Sequence, residues 1–142
     1  MGGSEINASE LTIGNWVRNK RTKELICIFE IDGYRNVINN EADGYCSEKN
    51  ISIDEIEPIP LTAEILKQNG FEVKVVNGVN MYVLSTDYYD LEVHEYSDTI
   101  FYSTYYDCEC GGPEEARYTS YVHQLQQFMK MTCGIDKDIY IW

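Results

Sequence analysis

The sequence predicts an α+β fold, in which an antiparallel sheet packs with a C-terminal helix. Along the chain, an N-terminal β-meander, a short helix and a second β-meander should precede that helix. Three observations support this prediction. Asn77-Gly78 lies between two runs rich in β-branched residues, which is a strong hairpin signal. Residues 62–69 carry helix signals at both ends, and apolar residues recur every three or four positions over 120–132.

The length and composition of the chain predict a single domain. The chain has 142 residues, of which 44% are hydrophobic, and this is enough apolar material for one core. The sequence shows no internal repeat, linker or low-complexity segment. We therefore expect residues 1–10 to form a flexible N-terminal lead and residues 11–142 to form one α+β domain.

The first part of the chain predicts a β-meander. Residues 11–18 alternate apolar side chains on one face, and residues 24–31 are rich in β-branched and aromatic residues, as strands are. Asp32-Gly33 predicts a tight turn with positive backbone φ angles, which returns the chain through residues 34–38. The polar residues 39–50 predict a loop.

The middle of the chain predicts a short strand and then a helix. Isoleucines spaced by two indicate a strand over 51–56, and two prolines follow it. Thr62 is a suitable N-cap and Gly70 a suitable left-handed stop, so the helix should span 62–69.

The rest of the chain predicts the second meander and the C-terminal helix. Its predicted elements are strands at 72–76, 79–85, 89–94 and 99–105, a loop at 107–115, a helix at about 120–132 and a last strand at 139–142. The predicted core consists of Ile13, Trp16, Ile26, Ile28, Leu61, Leu66, Phe71, Val83, Leu91, Val93, Phe101, Val122, Leu125 and Met129.

The charge of the chain restricts its partners. Eleven basic against 24 acidic side chains give a net charge of −13, which disfavours direct binding to nucleic acid or to an anionic membrane. A protein partner, in particular a basic one, is compatible with this charge. The N-terminal residues show no signal-peptide pattern and no apolar run is long enough to span a membrane, so we expect a cytoplasmic protein.

Tyrosine is the compositional outlier, with 12 residues, several of them between positions 82 and 106. Tyrosine is enriched in binding hot spots because it offers a large contact area at a low entropic cost. It is also a good strand former, and that structural explanation stays open. The predicted partner-binding residues are Tyr88, Tyr89, Asp90, Glu92, His94, Tyr96, Tyr102 and Tyr105.

The cysteines and histidines offer weaker candidates. Cys108 and Cys110 could hold a soft metal, although structural zinc sites separate such a pair by two to four residues. The odd count of five cysteines favours reduced, metal-free thiols. His123 could act as a base towards Cys133 or Cys108, but the spacing supplies no orienting group. No catalytic residue, metal site or cofactor is predicted.

Four fragments together resemble a family of small uncharacterised proteins of Bacteroides-type gut bacteria, their phages and mobile elements. The fragments are LTIGNWV at 11–17, PIPLTAEIL at 58–66, NGF at 69–71 and YVHQLQ at 121–126. The resemblance covers most of residues 11–134. It implies a cytosolic accessory protein of phage or mobile-element origin, and it assigns no catalytic residue.

Three classes of function follow from these observations. The favoured one is a non-enzymatic acidic protein that binds another protein, for example a phage-derived inhibitor of a host protein. The alternatives are an enzyme whose site is not recognised and an accessory domain stabilised by metal at Cys108 and Cys110. The chain could be a monomer or a homodimer.

Overall fold

The structure is a computed structural model that describes residues 6–42, 45–97, 99–107, 113–135 and 137–141. The chain divides into two compact units, Met1–Ile59 and Pro60–Trp142. Each unit contains a five-stranded antiparallel sheet, and the second also contains the C-terminal helix, so the predicted α+β class is confirmed. In the described part of the chain, every helix is too short or too polar to cross a membrane.

The first unit is built almost entirely from strands. Its sheet has the order β4-β3-β2-β1-β5, in which each strand runs antiparallel to its neighbour. The elements are a 3₁₀ turn at Ala8–Glu10, β1 at Trp16–Asn19, β2 at Leu25–Asp32, β3 at Val37–Ala42, β4 at Tyr45–Ser52, a 3₁₀ turn at Ile53–Glu55 and β5 at Ile56–Pro58.

The core of the first unit is aliphatic. Side chains from the sheet meet side chains from the N-terminal segment and from the second 3₁₀ turn. Ile6 belongs to this core, although it falls within the segment 1–10 that the sequence predicts as a flexible lead. The buried members are Ile6, Leu11, Val17, Ile26, Ile28, Ile38, Ile51, Ile53 and Ile56.

The predicted strand 11–18 begins later than expected, and Ile13 is not a core residue. Ile13 is 69% exposed because it lies in a turn, where the Asn15 Oδ1 accepts a hydrogen bond of 2.8 Å from the Thr12 N–H. The strand starts at Trp16, so Val17 points inward and is fully buried, whereas Trp16 is half-buried. The turn thus shifts the inward positions of this segment.

The hairpin at Asp32-Gly33 is present, but its turn differs from the prediction. The turn spans residues 33–36, and the positive φ of 55° belongs to Asn36 instead of Gly33. The Asp32 carboxylate accepts hydrogen bonds from the backbone N–H groups of Tyr34 and Arg35, at 3.0 and 3.1 Å. This side-chain capping stabilises a four-residue turn, as aspartate commonly does.

The predicted loop over 39–50 is wrong. Strands β3 and β4 pair there, with Ile38 opposite Ile51 and Asn39 opposite Asn50. A register shift between Asn39 and Glu41 accommodates the irregular pairing. One face of an antiparallel sheet can be solvated, so strands such as β3 and the edge strand β4 need few apolar residues and can be as polar as a loop.

The second unit combines a sheet with helices. Its sheet has the order β10-β9-β8-β7-β6 and contains antiparallel pairs throughout. The elements are α1 at Ala63–Gln68, β6 at Glu72–Val76, β7 at Val79–Ser85, β8 at Tyr89–Glu95, β9 at Phe101–Asp107, β10 at Pro113–Tyr118 and α2 at Val122–Gln127, which continues as a π-helical turn at Phe128–Thr132.

The hairpin between β6 and β7 confirms the strongest local prediction. Asn77 and Gly78 form its two-residue loop with φ angles of 53° and 78°. Positive φ at both positions defines the type I′ turn, whose twist matches that of the flanking strands.

Helix α1 has the predicted ends. The Thr62 hydroxyl accepts a hydrogen bond from the Ile65 N–H at 3.2 Å, which caps the N-terminus. At the other end Gly70 has a φ of 91°, and the Phe71 N–H donates to the Leu66 carbonyl. This is a Schellman-type stop, which lets so short a helix end cleanly before β6.

Two predictions for the C-terminal part are corrected. Strand β10 begins at Pro113, so the end of the predicted loop 107–115 is a strand. Residues 139–141 form no strand; instead the side-chain amide of Asn69 binds both backbone groups of Tyr140, at 2.8 and 2.9 Å. A side chain therefore replaces the backbone partner that a strand would need.

The core of the second unit largely agrees with the sequence. Of the predicted core residues in both units, twelve are buried: Ile26, Ile28, Leu61, Leu66, Phe71, Val83, Leu91, Val93, Phe101, Val122, Leu125 and Met129. Further buried apolar side chains of the second unit are Tyr82, Phe128, Ile135 and Ile139.

Candidate functional site

Strand β8 separates its predicted binding residues from the core by simple alternation. Leu91 and Val93 are fully buried, whereas Asp90, Glu92 and His94 lie half-buried on the opposite face. This confirms that the strand has one apolar and one polar face, because successive side chains of a strand point to opposite sides.

The register with β9 decides which tyrosines join this polar face. Tyr102 pairs with His94, and Tyr106 pairs with Asp90, so both share the face of the acidic residues. On the next strand Tyr118 pairs with Tyr102. We call the surface formed by Asp90, Glu92, His94, Tyr102 and Tyr118 the acidic–aromatic face.

The other predicted tyrosines lie elsewhere. Tyr89 and Tyr105 are on the opposite face of the sheet, with ring centroids 5.9 Å apart, and burial raises the pKa of the Tyr89 hydroxyl. Tyr88 and Tyr96 flank the two ends of β8 and are 80% and 74% exposed. The predicted residues therefore form no single surface.

His94 is held by neighbours on its own face. Its Nε2 lies 3.2 Å from the Thr104 hydroxyl and 3.3 Å from a carboxylate oxygen of Glu92. In a catalytic relay the nucleophile and the acid contact different ring nitrogens of the histidine. Here both groups contact the same nitrogen, so the arrangement positions the imidazole and does not constitute a relay.

Aromatic rings extend across three strands of the acidic–aromatic face. The centroid of the His94 ring is 6.5 Å from that of Tyr102, and Tyr102 meets Tyr118 edge-on at 5.2 Å. Tyr118 is 63% exposed. This row offers rigid, amphipathic contact area beside the carboxylates of β8.

A groove borders the acidic–aromatic face at Tyr118. It lies between the end of β10 and the C-terminal helix and has a volume of about 300 Å³. Its lining is mixed in character and consists of Arg117, Tyr118, Gln124, Gln127, Phe128, Met131 and Thr132. Such a groove can receive one side chain of a partner next to the exposed tyrosine ring.

Sequence reasoning missed Tyr118 and placed Tyr82 within the tyrosine-rich segment without assigning it a face. Tyr82 is buried, and its hydroxyl donates to Glu95 Oε1 at 3.1 Å. Burial, together with this hydrogen bond, raises the pKa of the Tyr82 hydroxyl. The run Ala116-Arg117-Tyr118 is compatible with a strand, but the local sequence does not show which face Tyr118 joins.

In the part of the chain that it describes, the structure gives no support to a metal or catalytic site at the cysteine and histidine candidates. Cys108 and Cys110 lie outside the described residues, and so does any site built on them. Within the described part of the chain, no three His, Cys, Asp or Glu side chains gather as metal ligands would. His123 is buried and stacks on Tyr121 with ring centroids 6.1 Å apart, which is a packing role.

Comparisons with protein-family models, with curated proteins and with solved structures found no match to this chain.

Proposed function

We propose that this chain is a non-enzymatic accessory protein that binds another protein through its acidic–aromatic face. The observation that carries the proposal is the aromatic row of His94, Tyr102 and Tyr118 beside Asp90 and Glu92. Tyrosines supply contact area, and carboxylates supply charge; together they suit a surface that carries lysine and arginine.

A basic protein is the partner class that this chemistry favours. The chain carries a net charge of −13, which accelerates encounters with a positively charged surface and discourages nucleic acid and anionic membranes. A basic side chain could lie against the Tyr102–Tyr118 pair while Glu92 neutralises its charge. A long basic side chain could also enter the groove beside Tyr118.

We extend this proposal to a biological setting. The sequence resemblance supports an origin in a phage or mobile element and a cytoplasmic location. An acidic accessory protein of that origin could inhibit a host protein that binds nucleic acid, with carboxylates in the positions where phosphates would bind. No cofactor enters this function.

The test compares capture of partners by matched variants. The tagged chain should retain a basic protein from a bacterial lysate, identified by mass spectrometry, and Tyr102→Ala should weaken that retention. Tyr34→Ala is the matched control, because Tyr34 is a fully exposed tyrosine that belongs to the first unit and not to the strands of this face. Equal retention by both variants would contradict the proposal.

Binding kinetics with the captured protein then separate the contribution of the carboxylates from that of the tyrosines. Glu92→Gln should slow association, and raised salt should reduce the difference, because exposed charges act mainly on encounter. Tyr102→Ala should instead speed dissociation, with a loss of about 2 kcal/mol if this ring is a hot spot. Unchanged rates for both variants would exclude this face as the contact surface.

A further inference from the structure

Strand β6 is the outermost strand of the second sheet, and β7 is its neighbour on the inner side. All five residues of β6 are exposed, including Val73 at 42% and Val75 at 67%. An edge strand presents a row of backbone N–H and C=O groups that can pair with another strand. Exposed valines on such an edge favour that pairing.

Strand β6 lacks the proline that two of the other edge strands, β5 and β10, carry. The edge strand β5 ends at Pro58, and the edge strand β10 begins at Pro113. Proline removes a backbone donor and discourages added strands. Strand β6 contains no proline, and it pairs with β7 over its whole length without a register shift. Its outer edge is therefore regular enough to extend the sheet.

The hairpin fixes which residues of β6 face outward. Val76 and Val79 flank the two-residue loop, so they exchange both of their backbone hydrogen bonds. Such pairs alternate along an antiparallel ladder, so Lys74 also directs its backbone groups towards β7. Val73 and Val75, which lie between these pairs, direct their N–H and C=O groups to the outer edge.

The charges on β6 are complementary to those of a second copy in one register. If two copies of β6 pair antiparallel about an axis through Val73, Glu72 lies opposite the partner's Lys74. By symmetry Lys74 lies opposite the partner's Glu72, so two opposite-charge pairs form on the same face. An axis through Lys74 would instead place two lysines opposite each other, and an axis through Val75 would leave Lys74 opposite a valine.

We propose that β6 pairs with β6 of a second copy of this chain and forms one sheet that is continuous through both copies. The Val73 backbone groups of the two copies bind each other at the centre, and the Glu72–Lys74 pairs set the register. This edge is separate from the acidic–aromatic face, so the inference does not depend on the proposed function. The net charge of −13 on each copy opposes the dimer and therefore shifts its formation to higher protein concentration.

The test is a charge swap measured by sedimentation equilibrium across a wide concentration series. The wild-type chain should form dimers as its concentration rises. Glu72→Lys and Lys74→Glu each place like charges opposite, and each should weaken the dimer roughly tenfold or more. The double variant restores both pairs and should recover the wild-type dissociation constant.

Matched controls keep the outcome specific. Glu72→Lys lowers the net negative charge, which by itself would favour association, so weaker association must come from the lost pair. Val75→Lys should weaken the dimer, whereas Val79→Lys, which adds the same charge on the other strand of the hairpin, should not weaken it. Circular dichroism verifies that each variant is folded. A wild-type chain that stays monomeric, or a double variant that fails to recover, would overturn the proposal.

Discussion

The two units bury similar sheets in different ways. In the first unit, Ile6 and Leu11 from the N-terminal segment and Ile53 from a 3₁₀ turn cover isoleucines of the sheet. In the second, Val122 and Leu125 of helix α2 join a core that includes aromatic rings. Both solutions remove one face of a sheet from water, and this burial supplies most of the stability of each unit.

The segments that cover the two sheets differ in how their backbone N–H and C=O groups find hydrogen-bond partners. A helix pairs its own N–H and C=O groups, whereas an irregular segment must find partners for them elsewhere. In the first unit the Asn15 side chain accepts from the Thr12 N–H, and the backbone of Asn15 binds Ile28. The irregular cover therefore depends on specific polar side chains, and the helical cover depends mainly on apolar packing.

The largest expected effect tests the helical cover. Leu125→Ala should lower the free energy of unfolding by about 2–5 kcal/mol, because Leu125 is fully buried and its truncation leaves a cavity. A urea titration measures this change. Met131→Ala, at an exposed position of the same helical run, should change stability by about 0.5 kcal/mol or less. A loss well under about 1 kcal/mol for Leu125→Ala would show that α2 is not the cover.

A smaller effect is expected in the aliphatic core of the first unit. Ile28→Val removes one methylene from a fully buried side chain and should cost about 1 kcal/mol. Ile13→Val is the same substitution at an exposed position, and its effect should be within measurement error. Thermal unfolding of both variants provides the comparison. Equal losses would mean that Ile13 is buried as well.

Tyr82→Phe tests a polar contact at the edge of the aromatic core. Losing the hydrogen bond to Glu95 should cost about 0.5–1 kcal/mol at neutral pH. Burial raises the pKa of the Tyr82 hydroxyl, so the folded state holds this proton more tightly than the unfolded state. The resulting stabilisation is complete below the pKa that the Tyr82 hydroxyl has in the unfolded chain. It is lost as the pH rises through the pKa of this hydroxyl in the folded chain.

Unfolding measurements on the alkaline side check this prediction. Between neutral pH and about pH 11, the stability of the wild type should fall more steeply than that of Tyr82→Phe. Tyr118→Phe, which changes an exposed hydroxyl, serves as the control. Parallel pH profiles for the wild type and Tyr82→Phe would contradict the assignment.

The smallest effect concerns an ion-pair cluster of the first unit. Lys23 and Arg18 lie 2.6 and 3.2 Å from Glu57 Oε1, and chiefly the hydrogen bond from Lys23 lowers the pKa of the Glu57 carboxyl. Glu57→Gln should therefore cost about 0.2–0.5 kcal/mol at neutral pH, as surface pairs do. Because the pKa of the Glu57 carboxyl is lower in the folded chain than in the unfolded chain, this group stabilises the fold at pH values above its unfolded pKa. That stabilisation is lost as the pH falls through its folded pKa.

Urea titrations between pH 3 and pH 7 measure that loss. The difference in the free energy of unfolding between the wild type and Glu57→Gln should shrink as the pH falls. Glu24→Gln changes an exposed carboxyl near the same turn and serves as the control. A Glu57→Gln difference that stays constant over this pH range would show that the ion pairs contribute nothing.

The second unit was more predictable from the sequence because its signals are local. Asn77-Gly78 by itself specifies a type I′ turn, and Thr62 and Gly70 specify the ends of α1. The strands of the first unit depend on partners distant in sequence. Residues 39–50 resemble a loop because pairing of Asn39 with Asn50 leaves no local apolar pattern.

The candidate site was predictable strand by strand, but its assembly was not. Alternation along β8 separates Glu92 from Leu91 without knowledge of the fold. Tyr102 and Tyr105 are an odd number of residues apart, so they cannot share a face of one strand. The inclusion of Tyr118 depended on the pairing of β10 with β9, which is a long-range property that the local sequence does not encode.

The contact between Asn69 and Tyr140 has a consequence for local dynamics. The Asn69 amide donates to the Ile65 and Tyr140 carbonyls and accepts from the Tyr140 N–H, so one side chain holds the C-terminal segment against the end of α1. Detachment of that segment breaks the hydrogen bonds from Asn69 and exposes the buried Ile139, but it leaves the strands of the sheet paired. The Tyr140 amide hydrogen should therefore exchange with solvent by a low-energy local opening, separately from the amides of β8.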